Sequence, residues 1–141
     1  MTKALYSFRK VDGHKCLQPY VPVNIINPYT GSCCAISCLL DSGADKCLFP
    51  DFIVKQLGSV ACGPQNQSTG ISGSSIDTRP HQLKLELLFQ DYKQVFWTSD
   101  ILKIDCADHD NVPPLLGSSD FLCNFNVTFN YKNGQVIVLE T

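Results

Sequence analysis

Leu39-Leu40-Asp41-Ser42-Gly43-Ala44-Asp45 is the stretch on which the fold and the chemistry both turn. It puts a carboxylate at the end of an apolar run and follows it with a hydroxyl, a glycine and a small residue. Asp, Ser and Gly are ordinary turn residues, because their side chains or lack of one suit tight backbone geometry. The apolar setting is less ordinary: Ile36, Leu39 and Leu40 precede the acid, and Leu48 and Phe49 follow it. A carboxylate there is partly desolvated, and its proton affinity is open to tuning by a neighbour. The motif occurs once in 141 residues.

Around this stretch the pattern is mainly β. Residues 21–26 and 33–40 alternate well enough for two strands, and Asn27-Pro28-Tyr29-Thr30-Gly31 between them is a turn cluster, so a hairpin is expected to lead into Asp41. Residues 50–58 read as a short helix with Asp51 at its start and Gly58 at its end. Residues 59–79 are rich in Gly, Ser, Gln and Asn, with Gly70-Ile71-Ser72-Gly73 near the centre. Alternation is clearest at Leu83-Lys84-Leu85-Glu86-Leu87, and residues 92–97 and 101–104 suggest further strands. A polar loop is expected over 105–112. Leu115-Leu116-Gly117 then leads into a one- or two-turn helix, and a hairpin over 125–139 turns at Asn133-Gly134.

Length and composition suit one globular domain, with 44% hydrophobic and 17% charged residues. The formal net charge of −2 and the scattered Lys and Arg carry no nucleic-acid footprint. No apolar run approaches the ~20 residues of a membrane span, and residues 1–10 lack the apolar stretch of a signal peptide, so an intracellular, cytoplasmic location is expected. Eight cysteines without C-x-x-C or finger-like His spacing point away from structural zinc and towards free, mostly buried thiols in a reducing compartment. Asp105, Asp108, His109 and Asp110 are too irregularly spaced for a cation site and read as a solvated loop. His14 and His81 read as surface residues, and Trp97 as a core residue.

The order of features is more specific than any one of them. An apolar strand runs into Asp-Ser-Gly-Ala, a glycine-rich hairpin follows about thirty residues later, and Leu-Leu-Gly precedes a short helix near the end. In this the chain resembles the retropepsins, the retroviral-type aspartic proteases, over roughly residues 18–139. The resemblance implies an all-β, acid-protease-like closed β-barrel with one short C-terminal helix, homodimeric, with the active site at the two-fold axis. Residues 18–141 would form this domain, and residues 1–17 either a dimer-interface strand or a disordered leader.

By the same resemblance Asp41 is the catalytic acid and needs the Asp41 of a second copy. Ser42 would bond across the dimer axis, and Gly43 would let backbone approach substrate. Gly43, Ala44 and Asp45 would contact an extended peptide. Gly70, Ile71, Ser72 and Gly73 would form the flap tip, with Ile71 over the scissile bond, and Leu115 would line a side-chain pocket. The implied activity is endopeptidase action on a polypeptide substrate, with no metal or cofactor and with neither nucleic acid nor membrane as partner. The alternative is a non-catalytic dimerisation or peptide-binding module on the same fold, since fold alone does not guarantee activity. One position departs from the pattern: Ser118 stands where the family usually has an Arg that pairs with the acid equivalent to Asp45, which leaves Arg9, Lys10 or solvent to satisfy Asp45.

Overall fold

The computed structural model describes residues 2–13, 15–69 and 74–141. In chain order the elements are β1 (Lys3–Ser7), β2 (Tyr20–Ile26), β3 (Cys33–Leu40), β4 (Leu48–Phe49), α1 (Asp51–Leu57), β5 (Asn66–Thr69), β6 (Ser75–Leu88), β7 (Val95–Thr98), β8 (Leu102–Ala107), β9 (Leu115–Leu116), a 3-10 turn (Leu122–Asn124), β10 (Phe125–Asn130) and β11 (Gln135–Glu140).

A three-stranded sheet has the order β1-β11-β10, so the first and last strands of the chain pair within one molecule. The second, eight-stranded sheet runs β2-β3-β9-β4-β8-β6-β5, with β7 against β6 and a further pairing of β2 with β6. The two expected hairpins are present: β2 and β3 pair antiparallel from Tyr20↔Leu39 to Ile26↔Cys33, and β10 and β11 pair across the turn that contains Gly134.

Three features of the expected architecture are corrected. The β2–β6 pairing brings the strands round into a ring, but not into a closed barrel. The ring passes through β4 and β9, strands of two residues each, which meet at the single register pair Leu48↔Leu115. Strands that short make an interrupted wall. The fold is also not all-β, and the one α-helix among the described residues lies mid-chain at Asp51–Leu57 rather than near the C-terminus. That helix buries Ile53, Val54 and Leu57 and stops at Gly58, whose left-handed conformation (φ 61°) returns its amide to the carbonyls of Lys55 and Val54. Each of the three buried side chains is worth roughly 1.5–3 kcal/mol.

After Gly117 only the three-residue turn Leu122–Asn124 forms. The amides of Ser118 and Ser119 are spent on the loop after Asp41, and β10 already begins at Phe125. Phe121 and Phe125 are both held in an aromatic cluster with Trp97 (ring centroids 5.6 and 5.0 Å from it), so the intervening chain has no length for a longer helix.

Two smaller readings also change. All eight cysteines are free, but only Cys38, Cys47 and Cys106 are buried. His81 is not a surface residue: it is 6% exposed on β6, where its Nδ1 shares a hydrogen bond with Ser59 Oγ at 2.7 Å. The 14-residue β6 is covered on both faces there, as the adjacent buried Pro80 shows.

Candidate active site

Asp41 is the first residue beyond β3, and backbone on both sides holds it in place. The Leu39 amide donates to Pro114 O at 2.8 Å and the Asp41 amide donates to Leu116 O at 3.0 Å, so β9 runs parallel to β3 right up to the acid. On its other side β9 pairs antiparallel with β4, to which the loop after Asp41 leads. The loop therefore has to pass over the strand inserted between its own two ends.

That crossing explains Gly117. A Cβ there would lie 2.4 Å from the carbonyl carbon and 2.6 Å from the Cα of Lys46, both backbone atoms that cannot swing away. Around it the loop is stitched to the segment that follows. Ser118 N–H donates to Ala44 O at 2.9 Å, and Ser119 donates to Asp45 O through its amide (2.8 Å) and its Oγ (2.6 Å). Asp120 accepts the Cys47 amide at 2.9 Å and its thiol at 3.1 Å. Burial first, and then the Asp120 carboxylate, push the Cys47 thiol well above its ordinary range, so it stays protonated and donates.

Within the loop, Asp41 Oδ1 accepts the Gly43 amide at 3.0 Å and Asp41 O accepts the Ala44 amide at 3.1 Å. One carboxylate oxygen is thus oriented by backbone. Asp41 itself is half-buried, while Ser42, Gly43 and Asp45 are exposed. The acid opens into a cleft of about 1170 Å³, which Gly43, Ala44, Asp45 and Leu115 also line. The structure thus brings together Asp41, Gly43, Ala44, Asp45 and Leu115. Ser68 and Ile76, on the arms of the β5–β6 hairpin, line the same cleft. The expected flap tip, Gly70, Ile71, Ser72 and Gly73, lies outside the described residues, as does His14.

Neither suggested cation satisfies Asp45. Arg9 Nη1 donates instead to Ser37 Oγ and lies 3.5 Å from Tyr92 OH, and the one ion pair among the described residues is Lys55–Asp51. Among the described residues no second carboxylate is bonded to Asp41, and no group of three or more His, Cys, Asp or Glu is arranged to hold a metal.

The architecture has a known counterpart. The chain is similar to the crystal structure of a retropepsin-like aspartic protease from Rickettsia conorii, with a TM-score of 0.60 over 97% of this chain and 90% of that one, at 14% identity. The fold is retropepsin-like. At that identity the likeness is one of fold. No protein-family model matches the chain. No curated protein matches it either. Among the described residues no helix is long and apolar enough to cross a membrane.

Sequence reasoning missed several cleft residues of this retropepsin-like fold. Leu39 and Leu48 line the cleft beside Leu115, and so does Asp105, which the sequence pattern assigns to a solvated loop. The alternation Lys103-Ile104-Asp105-Cys106 was the available signal, since it continues β8 through residue 107 with Ile104 and Cys106 buried. Asp120 was also missed, because nothing local reveals that its partner is Cys47.

Proposed function

We propose that the chain is an aspartic endopeptidase which works as a homodimer, with Asp41 and its symmetry mate sharing one site. The observation that carries this reading is the placement of Asp41: a half-buried carboxylate, oriented by the Gly43 amide, on the floor of an open cleft in a retropepsin-like fold. A single chain offers one such acid, and a C2 dimer supplies the second.

The chemistry requires both. Two carboxyls in contact cannot both ionise, so the pair holds one proton and titrates as a unit. The ionised member takes a proton from a water molecule as the water oxygen bonds to the scissile carbonyl carbon. The protonated member gives its proton to the carbonyl oxygen. As the tetrahedral diol collapses, one hydroxyl gives its proton to the carboxylate that is now ionised, and the C–N bond breaks. The leaving nitrogen takes the proton that the other carboxyl received from water, so the pair again holds one proton. Substrate lies as an extended strand in the cleft, with main-chain bonds to Gly43 and Asp45 and with Ala44 small beside it. Ser42 ties the two loops across the axis.

The test is a peptide-library digestion at pH 4–7 by the wild type and by Asp41→Asn, paired with sedimentation at rising concentration. Cleavage that is lost in Asp41→Asn and blocked by a statine-type inhibitor, by a protein that dimerises, is the expected result. Undiminished turnover in Asp41→Asn, or a monomer even with inhibitor bound, would refute the shared site.

A further inference from the structure

The cleft floor carries a feature that the catalytic proposal does not use. Register pairs link Asp105 to Leu48, Leu48 to Leu115 and Leu115 to Leu39. These residues occupy the consecutive strands β8, β4, β9 and β3, so they form one row across the sheet. All four line the cleft and all four are half-buried. Their chain neighbours Cys106, Phe49, Leu116 and Leu40 are buried on the core side, as period-2 alternation requires. The row is apolar for three strands and ends in a carboxylate.

Asp105 has no side-chain hydrogen bond and no ion pair among the described residues. Lys46 lines the same cleft but is exposed and makes no ion pair with it. His109, also on the cleft, accepts the Asn111 amide at Nδ1 (3.1 Å), which leaves Nε2 to carry the ring proton and makes that side of the ring a donor. An acid left half-buried without a partner at the end of an apolar strip is complementary to a side chain with a long aliphatic stem and a cationic head.

We infer that the Leu115–Leu48–Asp105 row is a specificity pocket for a lysine or arginine side chain of the substrate. The stem lies along Leu115 and Leu48, and the cation reaches the Asp105 carboxylate. Adjacent strands are about 4.8 Å apart, so the carboxylate stands roughly 10 Å from the Leu115 strand, a span that a long basic side chain and the Asp105 side chain bridge together. This inference rests on the proposed peptidase reading and adds to it the class of substrate.

The experiment uses the full chain and a set of fluorescent peptides in which lysine is moved through each position, each matched by the same peptide with uncharged norleucine. At one position the lysine peptide is expected to be cleaved roughly 10- to 100-fold more efficiently (kcat/KM), as a charge-assisted bond allows. That ratio should collapse towards one in Asp105→Asn and survive in Asp105→Glu, with circular dichroism used to check that both variants are folded. Should Asp105→Asn not fold, the wild-type ratio and its retention in Asp105→Glu decide. Cleavage without any lysine preference overturns the pocket while leaving the peptidase reading standing. If no peptide is cleaved at any pH, the peptidase reading fails. Fluorescence polarisation of the same peptides on the wild type and on Asp105→Asn then decides the pocket, which falls if lysine and norleucine peptides bind alike or neither binds.

Discussion

A Cβ on Gly117 would stand 2.4 Å from the carbonyl carbon of Lys46, so the glycine after Leu115-Leu116 and the end of the Asp41 loop meet backbone against backbone. Gly117→Ala is therefore expected to push the loop off β9. Overpacking of this kind costs roughly 1–3 kcal/mol, and more where only backbone can yield. Urea unfolding of the variant should show a lower midpoint, and an unchanged midpoint would mean that the crossing has room for a methyl group.

Asp41→Asn keeps an oxygen at Oδ1 to accept the Gly43 amide, so stability should change little while peptide cleavage falls by about 10²–10⁴-fold, the contribution of a positioned acid or base. Thermal melts and initial rates on one substrate, measured side by side, separate the two effects.

Asp120 is the acceptor for the Cys47 amide and thiol in a site where Cys47 is 1% exposed. Asp120→Ala leaves a buried amide unpaired, which costs roughly 1–3 kcal/mol, whereas Asp120→Asn retains an acceptor and should recover most of that. Chemical denaturation of the two variants tests the difference, and equal loss in both would point to the charge rather than the amide bond.

Burial lowers the pKa of His81 from its ordinary 6.5. The unfolded chain therefore takes up a proton near pH 6.5 that the folded chain takes up only at lower pH. Stability falls as pH drops through that window and is regained as pH rises above 6.5. His81→Gln should flatten the dependence of the unfolding midpoint between pH 7 and pH 5. If the slope is unchanged, another group carries it.

Thiol accessibility gives a further check. Cys16, Cys33, Cys62 and Cys123 are exposed and should react with a thiol reagent in the native protein. Cys38, Cys47 and Cys106 should react only on unfolding, because burial pushes their thiols up, that of Cys106 to about 12. Fast native labelling of more than the exposed thiols and the half-buried Cys34 would contradict the packing around β3, β4 and β8.

Local chemistry made part of this molecule readable in advance. The β2–β3 hairpin showed in its period-2 pattern and its Asn27-Pro28 turn, and the β10–β11 hairpin in its Asn133-Gly134 turn, because strand alternation and turn preference act between near neighbours. Gly58 marked the end of α1 for the same reason. Residues 92–97 misled, since Tyr92 adopts a positive φ of 62° in a turn and the strand starts only at Val95.

From the residue order alone came Asp41 at the end of an apolar strand, the late Leu-Leu-Gly, and the retropepsin-like architecture they suggest. Tertiary structure alone decided the rest: that β9 slips between β3 and β4, that Asp120 reaches Cys47, and that Asp105, Leu48, Leu115 and Leu39 stand in one row. Strands of two residues carry no readable period. Pairings between positions more than sixty residues apart depend on how the whole chain closes, not on anything written beside them.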